Sequence, residues 1–265
     1  MGQHAREISR QSGKTESGWE HVAEWYLQWV GKDGAEHHRK VTIPAVLGLL
    51  APRPGERVLD VGAGSGVLAP AISATRAEYV GIDVSPTLLR FATRHHGRHG
   101  RFVLADARSL HQTPTFADER FDAAVFLLSL QDMDPLAEVF GSLARVLSPD
   151  GRVVILITHP CFRVPRQSGW VWDDDRRLQS RRFDRYLTPL VVPVEAVGAA
   201  ERAATARFHR PLSDYVSALA KAGFVIDRLV ELPSQKTRPA GPRSRAENTA
   251  LQEIPMFLGL RARRQ

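Results

Sequence analysis

The chain is poor in sulfur, in lysine and in long apolar runs. Its single cysteine, Cys161, excludes an intramolecular disulfide and a cysteine-based metal centre. Lysine occurs only at positions 14, 32, 40, 221 and 236, although Lys and Arg together number 36. No apolar run approaches the ~18 residues that cross a bilayer. The opening MGQHAREISRQSGKTESGWE lacks the apolar core of a signal peptide. We therefore expect a cytoplasmic protein with no membrane partner. No internal repeat or low-complexity tract is present.

The net charge is +7 and the pI about 10.0. A nucleic-acid partner is one reading of such a balance. The arginines are scattered, however, apart from QKTRPAGPRSR (235–245) and the terminal RARRQ. Arg-rich, Lys-poor, Ala-rich composition is common in GC-rich genomes, so we expect no nucleic-acid partner. The 265 residues suffice for one domain with insertions.

Hydrophobic spacing organises the chain. WEHVAEWYLQWVG (19–31) places Val22, Trp25, Tyr26 and Trp29 on one helical face. TIPAVLGLL (42–50) reads as a second helix. Apolar strands then alternate with helices: strands at 57–62, 78–84, 101–107, 121–130 and 152–159, helices at 66–76, 85–96 and 135–151. Strands apolar throughout are buried on both faces, as in a parallel sheet under helices. The pattern predicts a doubly wound α/β fold. Residues 160–210, rich in proline and arginine, interrupt it as an insertion. A helix (211–223), a strand (224–232), a loop (233–248) and a last strand (253–263) follow. We expect an N-terminal helical cap over 1–50 and the sheet domain over 51–265, with the insertion as its lid.

VLDVGAGSGVLAP (58–70) sits at the first strand-to-helix turn. Its glycines, Gly62, Gly64 and Gly66, are spaced G-x-G-x-G rather than the G-x-G-x-x-G of dinucleotide sites. Asp60 precedes them, Asp83 ends the second strand and Asp106 ends the third. Each aspartate alone reads equally as a cap or turn residue. Together they stand at successive strand ends, where open α/β sheets bind ligands. Asp83 can accept both hydroxyls of a ribose. Asp106 can accept from an adenine amine while the Ala107 N–H reaches a ring nitrogen.

With GIDVSPTLL, VLADA and FDAAVFLLSLQDM in the same order, this stretch resembles the class I S-adenosylmethionine-dependent methyltransferases over about residues 40–160. The resemblance implies a seven-stranded Rossmann-like sheet with an antiparallel last strand. It implies S-adenosylmethionine as cofactor and S-adenosylhomocysteine as product. On the family pattern Gly62, Ala63, Gly64 and Gly66 lie under the cofactor and Asp60 organises the loop. Asp83 with Val84 takes the ribose, Asp106 with Ala107 the adenine, and Leu128 lines the methionine arm. The family's N-terminal region, here with His37 and His38, often touches the cofactor carboxylate.

Methyl transfer needs orientation and water exclusion more than a catalytic triad, and the sequence offers no triad. Gln131, after the fourth strand, is a candidate acceptor contact, and His159, after the fifth, a candidate proton acceptor together with Tyr26. HPCF (159–162) invites a cysteine nucleophile, but the segment after the fourth strand reads LSLQD and lacks the Pro-Cys of such enzymes. The run Asp173–Asp175 is a solvated charge cluster and no metal is expected. All five tryptophans, at 19, 25, 29, 170 and 172, lie in the N-terminal helix and the insertion. They serve either to pack the lid or, with Phe162, to wall an aromatic acceptor. Trp25, Trp29, Phe162, Trp170 and Trp172 are the candidate substrate contacts. The expected function is methylation of a small aromatic molecule in natural-product biosynthesis. The lid segment is similar to enzymes that methylate an indole carbon of tryptophan-derived cyclic dipeptides. RNA or protein methylation and a non-catalytic S-adenosylmethionine-binding regulator are the alternatives. Oligomeric state leaves no sequence signal.

Overall fold

Strands that are apolar at every position need cover on both sides. The computed structural model describes residues 18–196 and 204–265. In chain order it contains α1 (Gly18–Val30), a π-helical turn (His38–Thr42) running into α2 (Ile43–Leu50), β1 (Arg57–Val61), α3 (Ala69–Ser73), β2 (Glu78–Asp83), α4 (Pro86–His96), β3 (Arg101–Leu104), β4 (Phe121–Leu127), α5 (Leu136–Val146), β5 (Leu147–Thr158), β6 (Ser168–Asp173), β7 (Leu178–Phe183), β8 (Leu190–Glu195), β9 (Ala204–His209), α6 (Leu212–Lys221), β10 (Phe224–Leu232), α7 (Ser244–Glu253) and β11 (Phe257–Arg264). Seven strands form one sheet in the order β10-β11-β5-β4-β1-β2-β3. β11 runs antiparallel to both neighbours, and β1 to β5 are mutually parallel where they pair.

The pleat explains the continuous apolar strands. Leu59 and Val61 of β1, Ala124 and Phe126 of β4, and Val153, Ile155 and Ile157 of β5 face one core with α5 and α6. Val58, Ala123, Val125, Val154 and Leu156 face the other with α2 and α3. Each fully buried Val, Leu, Ile or Phe contributes roughly 1.5–3 kcal/mol before ordering costs. Val46, Leu49 and Leu50 of α2 belong to that second core. The boundary expected at residue 50 thus falls inside shared packing.

The capping signal before α4 is realised: the Ser85 hydroxyl accepts from the Leu88 N–H at 3.1 Å. The structure also corrects several bounds. The helix expected over 66–76 holds only Ala69–Ser73, because three glycines turn the chain sharply before it. The helix expected to close at Pro149-Asp150-Gly151 stops at Val146, since Leu147 already pairs with Phe121 in the sheet. The expected loop 233–248 gives way to α7 from Ser244. The described parts of the insertion are two antiparallel hairpins, β6–β7 and β8–β9. The expectation of a loose N-terminus falls on residues outside those described. Among the described residues no helix is long and apolar enough to cross a membrane. Nor is any group of three or more His, Cys, Asp or Glu arranged to hold a metal ion.

Candidate functional site

The glycine turn after β1 is built from positive backbone torsions. Gly62, Gly64 and Gly66 have φ of 75°, 55° and 77°, a region that side chains other than glycine rarely enter. Space forbids them as well. A Cβ at Gly62 would stand 2.6 Å from the Ser129 Cβ, and one at Gly66 2.9 Å from the Phe102 ring. The N–H groups of Gly62 and Ala63 donate to the Ile82 carbonyl at 2.9 and 2.8 Å, which pins the turn to β2.

Acids gather around this turn. Asp83 is buried; its Oδ2 accepts from the Gly64 N–H and its Oδ1 from the Ser85 N–H, both at 2.9 Å. Burial raises its carboxyl above the ordinary range against those two hydrogen bonds. Asp60 is buried beside it. Its Oδ2 accepts from the Tyr79 hydroxyl at 2.7 Å, while its Oδ1 is enclosed without a partner. Burial pushes Asp60 up to about 7. Asp132, just after β4, accepts from Arg207 Nε of β9 at 2.9 Å, and burial still outweighs the guanidinium and raises it. The Tyr26 hydroxyl stands over the turn, 3.1 Å from where a Gly64 Cβ would be. Burial first, then the charges of Asp83, Asp132 and Asp60, push its proton affinity well up.

Tyr26 is therefore a neutral hydroxyl at ordinary pH, able both to donate and to accept a hydrogen bond. His159 follows β5 directly. It is buried, Nδ1 accepts from the Cys161 N–H at 3.2 Å, and Nε2 meets Glu231 Oε1 at 2.8 Å. Both ring nitrogens are thus engaged within the protein. Burial lowers its proton affinity even against Glu231. Gln131 is buried too, and its Oε1 accepts from the Thr158 N–H at 3.0 Å, tying the ends of β4 and β5 together.

The remaining predicted residues divide similarly. Asp106 caps the 3-10 turn that begins at Ala107, and the Arg108 guanidinium grips both its oxygens at 2.6–3.0 Å. Burial raises the Asp106 carboxyl, but the hydrogen bonds from Arg108 win and hold it low. Ala107 is buried and Val84 half-buried. Leu128, half-buried, has φ of 58°, and its N–H donates to the Leu156 carbonyl at 2.7 Å. His38 is buried, accepts from the Ala35 N–H at 3.1 Å, and is held neutral by burial, its value lowered to about 3.

Among the expected substrate aromatics, Trp29 is 59% exposed and Trp25 half-buried. Phe162 packs 4.7 Å from the His159 ring. Trp170 and Trp172 are engaged by arginines: Arg163 and Arg181 each lie 5.1 Å from the Trp170 ring centroid, and Arg243 lies 4.5 Å from that of Trp172.

Three contributors escaped the sequence reading. Glu20 of α1 accepts from the Ser85 hydroxyl, from the Thr87 N–H at 3.1 Å and from the Thr87 hydroxyl at 2.5 Å. It thereby fastens α1 to the start of α4. Its partners lie some 65 positions away, beyond any local pattern. Arg207 is equally non-local. Asp132 was findable, because the rule that singles out acids at strand ends applies equally after β4.

The arrangement fits a cationic nucleotide-like cofactor. Clustered buried carboxylates, one with an unpartnered oxygen, favour positive charge. The glycine turn leaves backbone rather than side chains to face a ligand. S-adenosylmethionine carries both a sulfonium and an ammonium. Gly62 to Gly66, Asp60 and Asp83 would hold it.

Residues 59–155 match a family described as a methyltransferase domain. A demethylmenaquinone methyltransferase of Tropheryma whipplei is 35% identical over 113 residues, covering 42% of this chain and 46% of that protein. One from Clavibacter sepedonicus is 33% identical over 156 residues, covering 56% of this chain and 60% of that protein. The chain spans about half the length of these curated relatives. An S-adenosylmethionine-dependent methyltransferase structure from Mesorhizobium loti superposes with a TM-score of 0.65 at 27% identity, covering 88% of this chain and 100% of that one. The sheet order, the glycine turn with its acids and these likenesses agree. Residues 59–155 form a methyltransferase domain, and the chain is similar over most of its length to an S-adenosylmethionine-dependent methyltransferase, which gives S-adenosylmethionine as the cofactor.

Proposed function

We propose that this protein methylates a small molecule. The observation that carries the reading is the cluster of buried Asp60 and Asp83 with Asp132, whose side chain is 5% exposed, around a turn that only glycine can form. When bound, the sulfonium supplies an already activated methyl group. The chain's part is to orient and to exclude water. Asp83 and the turn fix the cofactor from the sheet side, and Tyr26 covers the turn from α1 as a hydrogen-bond donor. Arg207 joins the β8–β9 hairpin to the sheet through Asp132, so the insertion acts as a lid. Holding an acceptor in line is worth up to about 7–11 kcal/mol of barrier in favourable cases. Gln131 ties the ends of β4 and β5, and His159 joins the end of β5 to Glu231 of β10.

The named relatives act on demethylmenaquinone, which supports a small-molecule acceptor. An aromatic acceptor is the finer reading, walled by Trp25, Trp29 and Phe162. The tryptophan-derived cyclic dipeptide suggested by the lid segment is its most specific form. That form loses support where Trp170 and Trp172 are engaged by arginines.

Calorimetry with S-adenosylmethionine, S-adenosylhomocysteine and NAD tests the cofactor. Binding of NAD alone overturns the reading. A mass screen for products 14 Da heavier, a figure set by replacing hydrogen with methyl and so about one CH₂, tests transfer. The panel should hold quinones, indoles and cyclic dipeptides. Cofactor binding with no product across it favours the non-catalytic regulator.

A further inference from the structure

The acid-rich cofactor end has a basic counterpart at the root of the insertion. Arg163 and Arg181 both approach Trp170, with guanidinium carbons 5.1 Å from its ring centroid, so they lie no more than about 10 Å apart. Arg163 donates to the Ile254 and Pro255 carbonyls, and Arg181 to the Phe162 carbonyl and the Ser168 hydroxyl. Arg152, Arg207, Arg210 and Arg261 each meet a carboxylate. Among the described residues neither Arg163 nor Arg181 does. Burial, reinforced by the charge of Arg181, lowers Arg163 to about 10, and burial lowers Arg181 as well. Two partly buried cations sharing one ring with no acid are missing an anion.

Their position says which anion. Arg181 holds the carbonyl of Phe162, and Phe162 packs on His159 at the carboxyl end of β5. That is the side of the sheet where the acceptor lies if the methyl-transfer reading holds, and the inference rests on that reading. We propose that Arg163 and Arg181 form an anion subsite that binds a carboxylate or phosphate group of the acceptor, with Trp170 as its apolar wall. In each guanidinium Nε and Nη2 are engaged by the protein, which leaves Nη1 of each to reach the ligand. The acceptor class is an aromatic acid or a phosphate ester rather than a neutral ring.

The test uses the full chain loaded with S-adenosylhomocysteine, and nitrogen-15 spectra of the arginine Nε–H groups. Arg163→Gln and Arg181→Gln assign the two signals. The probes are indole-3-acetate, its neutral amide and inorganic phosphate. We expect saturable shifts of both signals with indole-3-acetate or phosphate and none with the amide. Calorimetric affinity for the bound anion should fall about tenfold in either Gln variant. Arg163→Lys, which keeps charge but loses the fork, should lie between. S-adenosylhomocysteine affinity should not change in any variant. Saturation by phosphate alone identifies a phosphate acceptor, and by indole-3-acetate alone a carboxylate one. Shifts that grow linearly with salt, or equally with the amide, overturn the subsite. Failure to bind S-adenosylhomocysteine overturns the methyltransferase reading itself, so the two failures are separable.

Discussion

The two ends of the site are built on opposite principles. Around the glycine turn, buried carboxylates are held by backbone N–H groups and a tyrosine within a few residues of β1 and β2. At the root of the insertion, two arginines share the Trp170 ring, and Arg163 is held by the carbonyls of Ile254 and Pro255 from a distant segment. The first is a construction around a sharp turn, the second combines stacking within the insertion with hydrogen bonds to a distant segment. A molecule with a cationic cofactor and an anionic acceptor needs both polarities, kept apart so that each attracts its own ligand.

The comparison breaks most severely at the turn. Gly62→Val places a branched side chain at φ 75° against Ser129. We expect a loss of about 2–4 kcal/mol in denaturant unfolding and no measurable binding of S-adenosylmethionine by calorimetry. Next comes Asp83→Asn, which keeps shape but gives up a charged acceptor. Cofactor affinity should fall about 10–100-fold, while indole-3-acetate shifts at Arg163 and Arg181 persist in the presence of saturating S-adenosylhomocysteine. A variant that abolished both would collapse the two ends into one.

A pH titration sharpens the acid side. Folded Asp60 holds its proton up to about 7 against an ordinary 3.8. The folded state therefore binds more protons over that window, and stability falls as pH rises through it. A cationic cofactor favours the ionised form, so its affinity should rise between pH 6 and 8, by up to about tenfold for one unit of induced shift. Asp60→Asn should flatten that rise. No rise in the wild type would separate Asp60 from cofactor charge.

Smaller effects test how the covering segments are attached. Glu20→Ala removes the acceptor for Ser85 and Thr87 and should cost about 1 kcal/mol of stability. Burial opposes ionisation of Glu20, but its hydrogen bonds prevail and hold it below 4.5. That contribution is present above 4.5 and fades as pH drops through the lower folded value, so the Ala variant and the wild type should converge in strong acid. Smallest of all, Arg243→Gln removes the cation over Trp172. It should cost about 0.5–1 kcal/mol in thermal or denaturant unfolding and leave cofactor affinity unchanged.

The same division decides what could be read from the sequence. The sheet was legible because two buried faces force unbroken apolar strands, and Ser85 could be named as a cap because its partner is three residues on. Gly62, Gly64, Gly66, Asp60 and Asp83 were legible because a turn and its acids are neighbours along the chain. Glu20, Arg207 and the partners of His159 were not, since Ser85, Asp132 and Glu231 become neighbours only on folding. Residue type alone carries no information on environment. Burial and then the neighbouring carboxylates raise the proton affinity of Tyr26, and two contacts engage the His159 imidazole, and neither environment is written in the local sequence. α7 has only a single buried residue, Ala250, so no hydrophobic stripe announced it.

Leu128 offers a way to tell selection for folding from selection for use. A leucine at φ 58° carries a backbone penalty of roughly 1 kcal/mol or more that glycine would escape. A library at this position screened only for thermal resistance should therefore enrich glycine and asparagine. The same library screened for turnover should return leucine if its side chain is what the methionine arm of the cofactor requires. Position 128 would then record, in one residue, which of two pressures shaped the end of β4.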